Sequence, residues 1–277
     1  MTRRSHVTGL RARIRRWLGD HPPAGRLVHE TLFAKLLPRL AVRRVRRNPE
    51  RHGAELARAM EAIVGRGIDP VEARWVDRIE HRRAEFAAGT MRVTFERDPS
   101  RDYSAGYIAR VSSIHRPWGV FLMRLVRELK PRSCIELGTA IGISSAYQAA
   151  ALELNGRGML RTVEGSGQLA AVARETLGAL RIHRVEVIEG RFDDVLDGVL
   201  AEAAPIDFAY LDAGKGRDHN LALFERLLPH LSPGAALIMD DVHWSREMSQ
   251  AWREIRGHER VAVSVDLWRL GACLMRG

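Results

Sequence analysis

The stretch CIELGTAIGIS, residues 134–144, joins a short apolar run to a glycine-containing loop, and a helical pattern follows. Glycine permits a tight turn at this point, and the first backbone N–H groups of the next helix are then open to a ligand. The loop reads G-x-x-x-G from Gly138 to Gly142, whereas dinucleotide-binding loops read G-x-G-x-x-G. We therefore predict a strand, a ligand-binding turn and a helix.

Seven β-rich apolar runs occur between residue 133 and the end of the chain, with helical patterns between most of them. They cover residues 134–137, 160–164, 185–189, 208–212, 236–240, 261–267 and 271–275. Alternating strands and helices form right-handed crossovers and a parallel sheet covered on both faces, while the last two runs are close enough to pair antiparallel. We predict an α/β fold: a doubly wound, mostly parallel, Rossmann-like seven-stranded sheet with an antiparallel last strand.

Helix signals dominate the preceding region. Asn48-Pro49 opens one helical pattern, and Asp69-Pro70-Val71-Glu72 opens another with an N-cap, a proline at N1 and a capping box. We divide the chain into a basic N-terminal extension (1–47), a helical region serving as a lid or dimerisation element (48–110) and an α/β domain (111–277).

The positive charge is confined to the start of the chain. The formal net charge is +10, but residues 1–51 alone carry +11. A cationic amphipathic helix there would contact anionic lipid, RNA or an acidic partner, and a solvated extension explains the same composition. Two cysteines within apolar runs, and no apolar signal segment, indicate a cytoplasmic protein, with a membrane-peripheral position left open by the leader.

Acidic residues collect where the predicted strands end. Open α/β sheets bind ligands beyond the carboxyl ends of their strands, so these positions form one candidate site. They are Glu136, Glu164, Gly190, Asp212, Asp240 and Asp241. An acidic residue before the loop suits a cationic ligand, and Glu164 can accept both hydroxyls of a ribose.

These features resemble class I S-adenosylmethionine-dependent methyltransferases, in which E-x-G-x-x-x-G follows the first strand and an acidic residue ends the second. The resemblance implies a methyl donor whose methionine part lies on the glycine loop, with its carboxylate at Ser144, its ribose at Glu164 and its adenine near Gly190. The implied donor-binding set is Glu136, Gly138, Thr139, Gly142, Ser144, Glu164, Gly190, Phe192, Asp193 and Asp212.

The fourth and fifth runs end in YLDAGK (210–215) and IMDDVHW (238–244), which resemble the motifs of cation-dependent O-methyltransferases. Catechol-type members pair D-x-x-K with Asp-Asn, and macrolide-sugar types have Asp-Asp. The resemblance implies that Asp212, Asp240 and Asp241 hold Mg²⁺, which favours oxygen ligands.

Two residues are candidates for the base that removes the proton from the hydroxyl group of the methyl acceptor. Gly214 replaces the aspartate of the sugar type, while Lys215 stands at the catechol-type position in a chain with only three lysines. An amine can be desolvated until it titrates near neutrality, so we predict Lys215, with His243 as its rival. A lysine that merely pairs with Asp212 remains the alternative.

The leading hypothesis is a Mg²⁺-assisted O-methyltransferase acting on a small hydroxylated acceptor. The alternatives are a metal-independent N- or O-methyltransferase and a donor-binding regulatory protein associated with RNA or a membrane. Ser112, Ser113 and His115 fall in the segment that covers the donor in similar enzymes, and Trp118 and Trp244 are candidate walls of the acceptor pocket. A homodimer is left open.

Overall fold

The computed structural model describes residues 41–48, 50, 52–95 and 98–277. Most of the predicted basic extension therefore lies outside the described residues. Within its last part, residues 41–46 are helical, with Val42 and Val45 buried and the neighbouring arginines exposed. Val42 and Val45 of this short amphipathic segment thus pack against the core.

Seven strands form the central sheet, as the sequence predicts, in the order β5-β4-β3-β6-β7-β9-β8. Their bounds are β3 Ser133–Leu137, β4 Met159–Glu164, β5 Val185–Glu189, β6 Ile206–Leu211, β7 Leu231–Met239, β8 Val261–Asp266 and β9 Gly271–Met275. The first five pair in parallel, and β9 lies antiparallel between β7 and β8. The predicted fold class is confirmed.

Helices cover both faces of this sheet. They are α1 Gly53–Ala62, α2 Pro70–Ala88, α3 Arg116–Leu129, α4 Ile143–Asn155, α5 Gly167–Ala179, α6 Phe192–Ala203, α7 Arg217–Leu227 and α8 Arg246–Ile255. One apolar cluster joins one face of the sheet to α1, α2 and α3, and a second joins the opposite face to α6, α7 and α8. The N-terminal helices thus share a core with the sheet.

A two-stranded antiparallel hairpin, β1 Arg92–Phe95 and β2 Asp98–Ser104, lies within the region 48–110 that the sequence predicts to be helical. The sequence MRVTF (91–95) alternates apolar and polar residues as a half-buried strand does, whereas DPSRDYS (98–104) has no such alternation. A helical turn at Ala105–Tyr107 and a π-helical turn at Ile108–Ser112 then lead into α3. Arg83 of α2 fixes this connection by donating to the carbonyl oxygens of Ala109 and Ile114.

The second predicted helix begins as its capping signals indicate. Asp69 accepts hydrogen bonds from the backbone of Val71 and Glu72, and the Glu72 carboxylate accepts one from the backbone of Asp69. Glu72 is also buried against Arg124 of α3, at 3.0 Å, so the capping box ties α2 to the sheet-covering helix. Across the described part of the chain, no helix is long and apolar enough to cross a membrane.

Candidate active site

The loop after β3 depends on left-handed backbone conformations. Gly138 has φ +100° and Gly142 has φ +82°. A side chain at Gly138 would collide with the backbone carbonyl of Asp212, so the loop lies directly against the end of β6. A side chain at Gly142 would instead press on Ala173 of α5.

We expect Gly138→Ala to weaken donor binding at least tenfold and to destabilise the fold by about 1–3 kcal/mol, because alanine is strained at this φ and its Cβ collides with backbone. The comparison is Gly198→Ala in α6, where a Cβ meets nothing within 4 Å. Calorimetric titration with S-adenosylhomocysteine and urea unfolding measure both effects. Equal binding by the two variants would contradict the close approach seen at the loop.

A cavity of about 420 Å³ opens at the carboxyl ends of β3, β4, β5 and β6. Of the predicted donor-binding residues, the structure brings six to its wall: Gly138, Glu164, Gly190, Phe192, Asp193 and Asp212. Sequence analysis missed His219 and Arg191, which also line it. His219 lies on α7, 6.2 Å from the Phe192 ring between centroids, and no local motif marks it.

Four residues of the predicted set are not among those that line this cavity, and their contact with a donor stays a prediction. Glu136 is fully buried, and its carboxylate accepts hydrogen bonds from Ser145, Gln148 (2.8 Å) and Thr162 (2.7 Å). Burial raises the pKa of Glu136 above its ordinary value, although these donors oppose the shift.

Thr139, Gly142 and Ser144 complete this buried group. Thr139 shares a 2.6 Å hydrogen bond with Thr162, and Thr139 and Ser144 are 1% and 8% exposed. None of the four is among the residues that line the 420 Å³ cavity. Glu136 and its neighbours therefore stabilise the loop from the interior, because β3 is an interior strand and Glu136 is hydrogen-bonded to Ser145 and Gln148 of α4.

Glu164 connects the loop to the next turn. One of its carboxylate oxygens accepts from the backbone N–H of Ala140 at 2.8 Å, and the other accepts from Ser166 at 3.0 Å. These two bonds hold the Glu164 side chain at the wall of the cavity.

The three aspartates of the fourth and fifth strand ends form one cluster. Asp212, Asp240 and Asp241 each offer an oxygen within 4.8 Å of the others. Lys215 contacts two of them, with Nζ 3.0 Å from Asp212 Oδ1 and 2.5 Å from Asp241 Oδ2. Asp241 reaches the cluster through a left-handed turn at φ +51°.

Asp240 is engaged differently from its two neighbours. Its Oδ1 accepts from Arg269 Nε at 3.0 Å and the backbone N–H of Asp241 at 2.6 Å, and its Oδ2 accepts from the Tyr210 hydroxyl at 2.8 Å and Arg269 Nη2 at 3.2 Å. Burial acts to raise the pKa of Asp240, but Arg269 and Lys215 outweigh it and hold the pKa below its usual value. These four donors fill the lone-pair positions of the carboxylate.

This donor set fits a hard divalent cation. Carboxylate oxygens are the ligands that Mg²⁺ prefers, and the cluster gathers three of them. Asp240 must exchange one of its four donors to bind a cation. Sequence analysis did not anticipate Arg269, and cation binding by the three aspartates stays a prediction.

The charges of the cluster also act on Lys215, the residue predicted to be the base. Burial would lower its pKa, but the carboxylates of Asp212, Asp241 and Asp240 outweigh burial and raise the pKa above its ordinary value. Burial raises the pKa of Asp212 to about 7, with Lys215 opposing and the other two aspartates adding to the shift. This shift favours the protonated amine, and a role of Lys215 as the base stays a prediction.

His243 faces away from the cluster. Its Nε2 lies 2.9 Å from Asp266 Oδ2, its Nδ1 lies 3.2 Å from Ser249 Oγ, and its ring lies against Trp268. Burial acts to raise the pKa of Asp266, but the hydrogen bond and charge of His243 outweigh it and lower the pKa. The prediction of His243 as a base is therefore not supported by its orientation.

The two tryptophans proposed as acceptor walls have opposite environments. Trp118 is 1% exposed and belongs to the core, so its proposed role is wrong. Ser113 is buried and His115 precedes α3 as its N-cap. Trp244 is 50% exposed, and its ring centroid lies 5.8 Å from Lys215 Nζ, which places it beside the aspartates.

Residues 135–242 match a protein-family model described as "Methyltransferase domain". This segment contains the glycine loop, Glu164 and the three aspartates, which are the residues that carry the resemblance to class I S-adenosylmethionine-dependent methyltransferases. The resemblance predicted from the motifs is confirmed.

Among curated proteins, the chain is 32% identical over 126 residues to the catechol O-methyltransferase of Niastella koreensis, covering 45% of this chain and 55% of that protein. It is 37% identical over 131 residues to the human transmembrane O-methyltransferase, covering 45% of this chain and 43% of that protein. The chain thus spans about half the length of the curated relatives that it matches.

Solved structures share the fold. An O-methyltransferase from Bacillus cereus in complex with S-adenosylhomocysteine has a TM-score of 0.52 at 22% identity, over 77% of this chain and 94% of that one. The O-methyltransferase TomG from Streptomyces achromogenes, in complex with S-adenosylmethionine, has a TM-score of 0.52 at 19% identity, over 79% and 96%.

Proposed function

We propose that this protein transfers the methyl group of S-adenosylmethionine to a hydroxyl oxygen of a small acceptor, assisted by Mg²⁺. The observation that carries the proposal is the position of Asp212, which lines the donor-sized cavity and also belongs to the aspartate cluster. A donor in the cavity and an acceptor at the cluster would therefore meet at one side chain.

The donor site follows from the wall of the cavity. Gly138 and Gly190 allow close approach of a ligand to backbone, and Glu164 is oriented to accept the two ribose hydroxyls. Phe192 and Asp193 offer an apolar face and an acceptor to the adenine. Both relatives named as O-methyltransferases with bound donor or product have this fold, which supports the assignment.

The acceptor site is assigned to the aspartates. Asp212 and Asp241 would hold the cation, which when bound supplies positive charge that lowers the pKa of an acceptor hydroxyl. Lys215, protonated between these carboxylates, would stabilise the oxyanion of a hydroxyl placed beside it. Asp240 and Arg269 would hold the turn that presents Asp241.

Two other functions remain to be separated from this one. A metal-independent methyltransferase would use the aspartates to orient its acceptor directly. A donor-binding regulatory protein would use the basic leader to contact RNA or a membrane, and the leader lies largely outside the described residues. The identity of the catalysed reaction and the membrane or RNA contact both stay predictions.

Calorimetric titration of S-adenosylhomocysteine into the full chain tests the donor site first. We expect micromolar binding, about −8 kcal/mol, with or without EDTA. A catechol acceptor added afterwards should give binding heat only with Mg²⁺ present. Acceptor binding and turnover that persist in EDTA would favour the metal-independent enzyme, and no donor binding would contradict the proposed function.

A further inference from the structure

A second cavity, of about 780 Å³, lies between α8 and the end of β8. We propose that it is an anion-binding subsite for the acceptor, so that the enzyme prefers hydroxylated aromatic acceptors that carry a carboxylate. This inference rests on the proposed O-methyltransferase function and adds a substrate class to it.

The cavity presents three arginines from one side of α8. Arg246, Arg253 and Arg256 recur at intervals of seven and three residues, which places them on one helix face. Against them the wall contributes one acidic residue, Asp266, which is already paired with His243 at 2.9 Å and lies 3.9 Å from Arg256. The local charge is therefore positive.

Two of these arginines have no ion-pair partner among the described residues and can therefore bind an anion. Neither Arg246 nor Arg253 forms an ion pair with any residue that the structure describes, and both are exposed. The Nε of Arg253 donates to the backbone carbonyl of Ser249 at 3.1 Å. This bond holds the guanidinium group against α8, the helix that lines the cavity. Guanidinium groups bind carboxylates through two parallel hydrogen bonds, which gives geometric selectivity as well as affinity.

Two tryptophans also line the cavity. Trp244 is half exposed, although an indole of this size is ordinarily covered in a folded protein. Trp252 is 1% exposed, and its indole Nε1 has no hydrogen-bond partner among the described residues. An aromatic ring stacked on Trp244 would cover apolar surface that is now in water.

Trp244 also joins this cavity to the reacting centre. Its backbone N–H donates to the Asp241 carbonyl at 2.8 Å, and its ring centroid lies 5.8 Å from Lys215 Nζ. An acceptor lying against Trp244 would thus have one end at the aspartates and the other among the arginines. Repulsion from the carboxylate cluster would make a small anion without a second anchor a poor acceptor, so the arginines would determine specificity.

The test compares three catechols of different charge: 3,4-dihydroxybenzoate, 4-methylcatechol and dopamine. For the wild type we expect the highest kcat/KM with the carboxylate. In the double variant Arg246→Gln/Arg253→Gln the ratio of kcat/KM for dihydroxybenzoate to that for methylcatechol should fall about tenfold, mostly through KM. Methylcatechol itself should change less than twofold.

Two further variants isolate the effect of charge at this place. Arg253→Glu should shift the preference towards dopamine, whereas Arg157→Gln, which changes an exposed arginine at the opposite end of the sheet, should leave all ratios unchanged. Calorimetric titration of dihydroxybenzoate into the protein bound to S-adenosylhomocysteine measures the affinity for the acceptor without turnover.

The outcomes separate this inference from the proposed function. If methylcatechol is methylated and the ratio of kcat/KM for dihydroxybenzoate to that for methylcatechol is the same in the wild type and the double variant, the anion-binding subsite is wrong. The proposed O-methyltransferase function is then unaffected. Absence of donor binding and of any methylation overturns the proposed function. Loss of dihydroxybenzoate affinity in the arginine variants supports the subsite.

Discussion

Replacing Asp212 by asparagine should lower kcat/KM for methyl transfer by about 100-fold or more. The reason is that Asp212 belongs to both halves of the site, and charge placed beside the reacting oxygen contributes several kcal/mol to such reactions. Affinity for S-adenosylhomocysteine should fall much less, because the glycine loop and Glu164 remain. Steady-state kinetics at saturating Mg²⁺ and calorimetry measure the two effects.

Asp241→Asn is the matched comparison for this prediction. Its amide oxygen can still bind a cation, and it restores the Asp-Asn pair of the catechol-type motif, so the loss should be about tenfold or smaller. Asp218→Asn on α7, with a side chain 89% exposed, should have no effect. Full activity of Asp212→Asn would remove the aspartate cluster from the reaction.

Strands β3, β6, β7 and β9 could be predicted because they are buried on both faces and therefore appear as separate apolar runs. The end of each run then places Glu164, Asp212 and Asp241 at one edge of the sheet, where the structure has them. The position of a side chain along a strand follows from such a pattern, since parallel strands end together.

The direction of a side chain after a strand ends could not be predicted. Glu136 and Glu164 both end a strand, yet Glu136 turns into the interior and Glu164 lines the cavity. His243 follows Asp241 by two residues but turns to Asp266, which is 23 residues further along the chain. These differences depend on long-range partners and on turn geometry, neither of which leaves a local pattern.

Arg269 is a further residue whose role could not be predicted from the sequence. It lies in the turn between β8 and β9, 29 residues after Asp240, and nothing near it in sequence resembles a motif. Its effect is nevertheless central, because it neutralises the most deeply buried carboxylate of the cluster. Arg269 Nε also lies 3.9 Å from Asp241 Oδ1, so a positive charge is close to Asp241, where the catechol-type motif has asparagine.

We expect Arg269→Met to lower the free energy of unfolding by about 3–5 kcal/mol, because it leaves the Asp240 carboxylate buried without its ion partner. The double variant Asp240→Asn/Arg269→Met should recover most of this loss, since no charge is then left unpaired. Arg226→Met, which removes an ion pair with the exposed Asp197, should cost less than about 1 kcal/mol. Urea unfolding compares the three.

The change in Tm that Mg²⁺ causes in these variants shows whether the Asp240–Arg269 ion pair is only structural or also affects cation binding. Without Arg269, two lone-pair positions of Asp240 are released and one competing positive charge is gone. Mg²⁺ should therefore raise the Tm of Arg269→Met more than that of the wild type, and raise that of the double variant least. Equal shifts in all three proteins would mean that Asp240 contributes nothing to cation binding, so that Asp212 and Asp241 hold the cation without it.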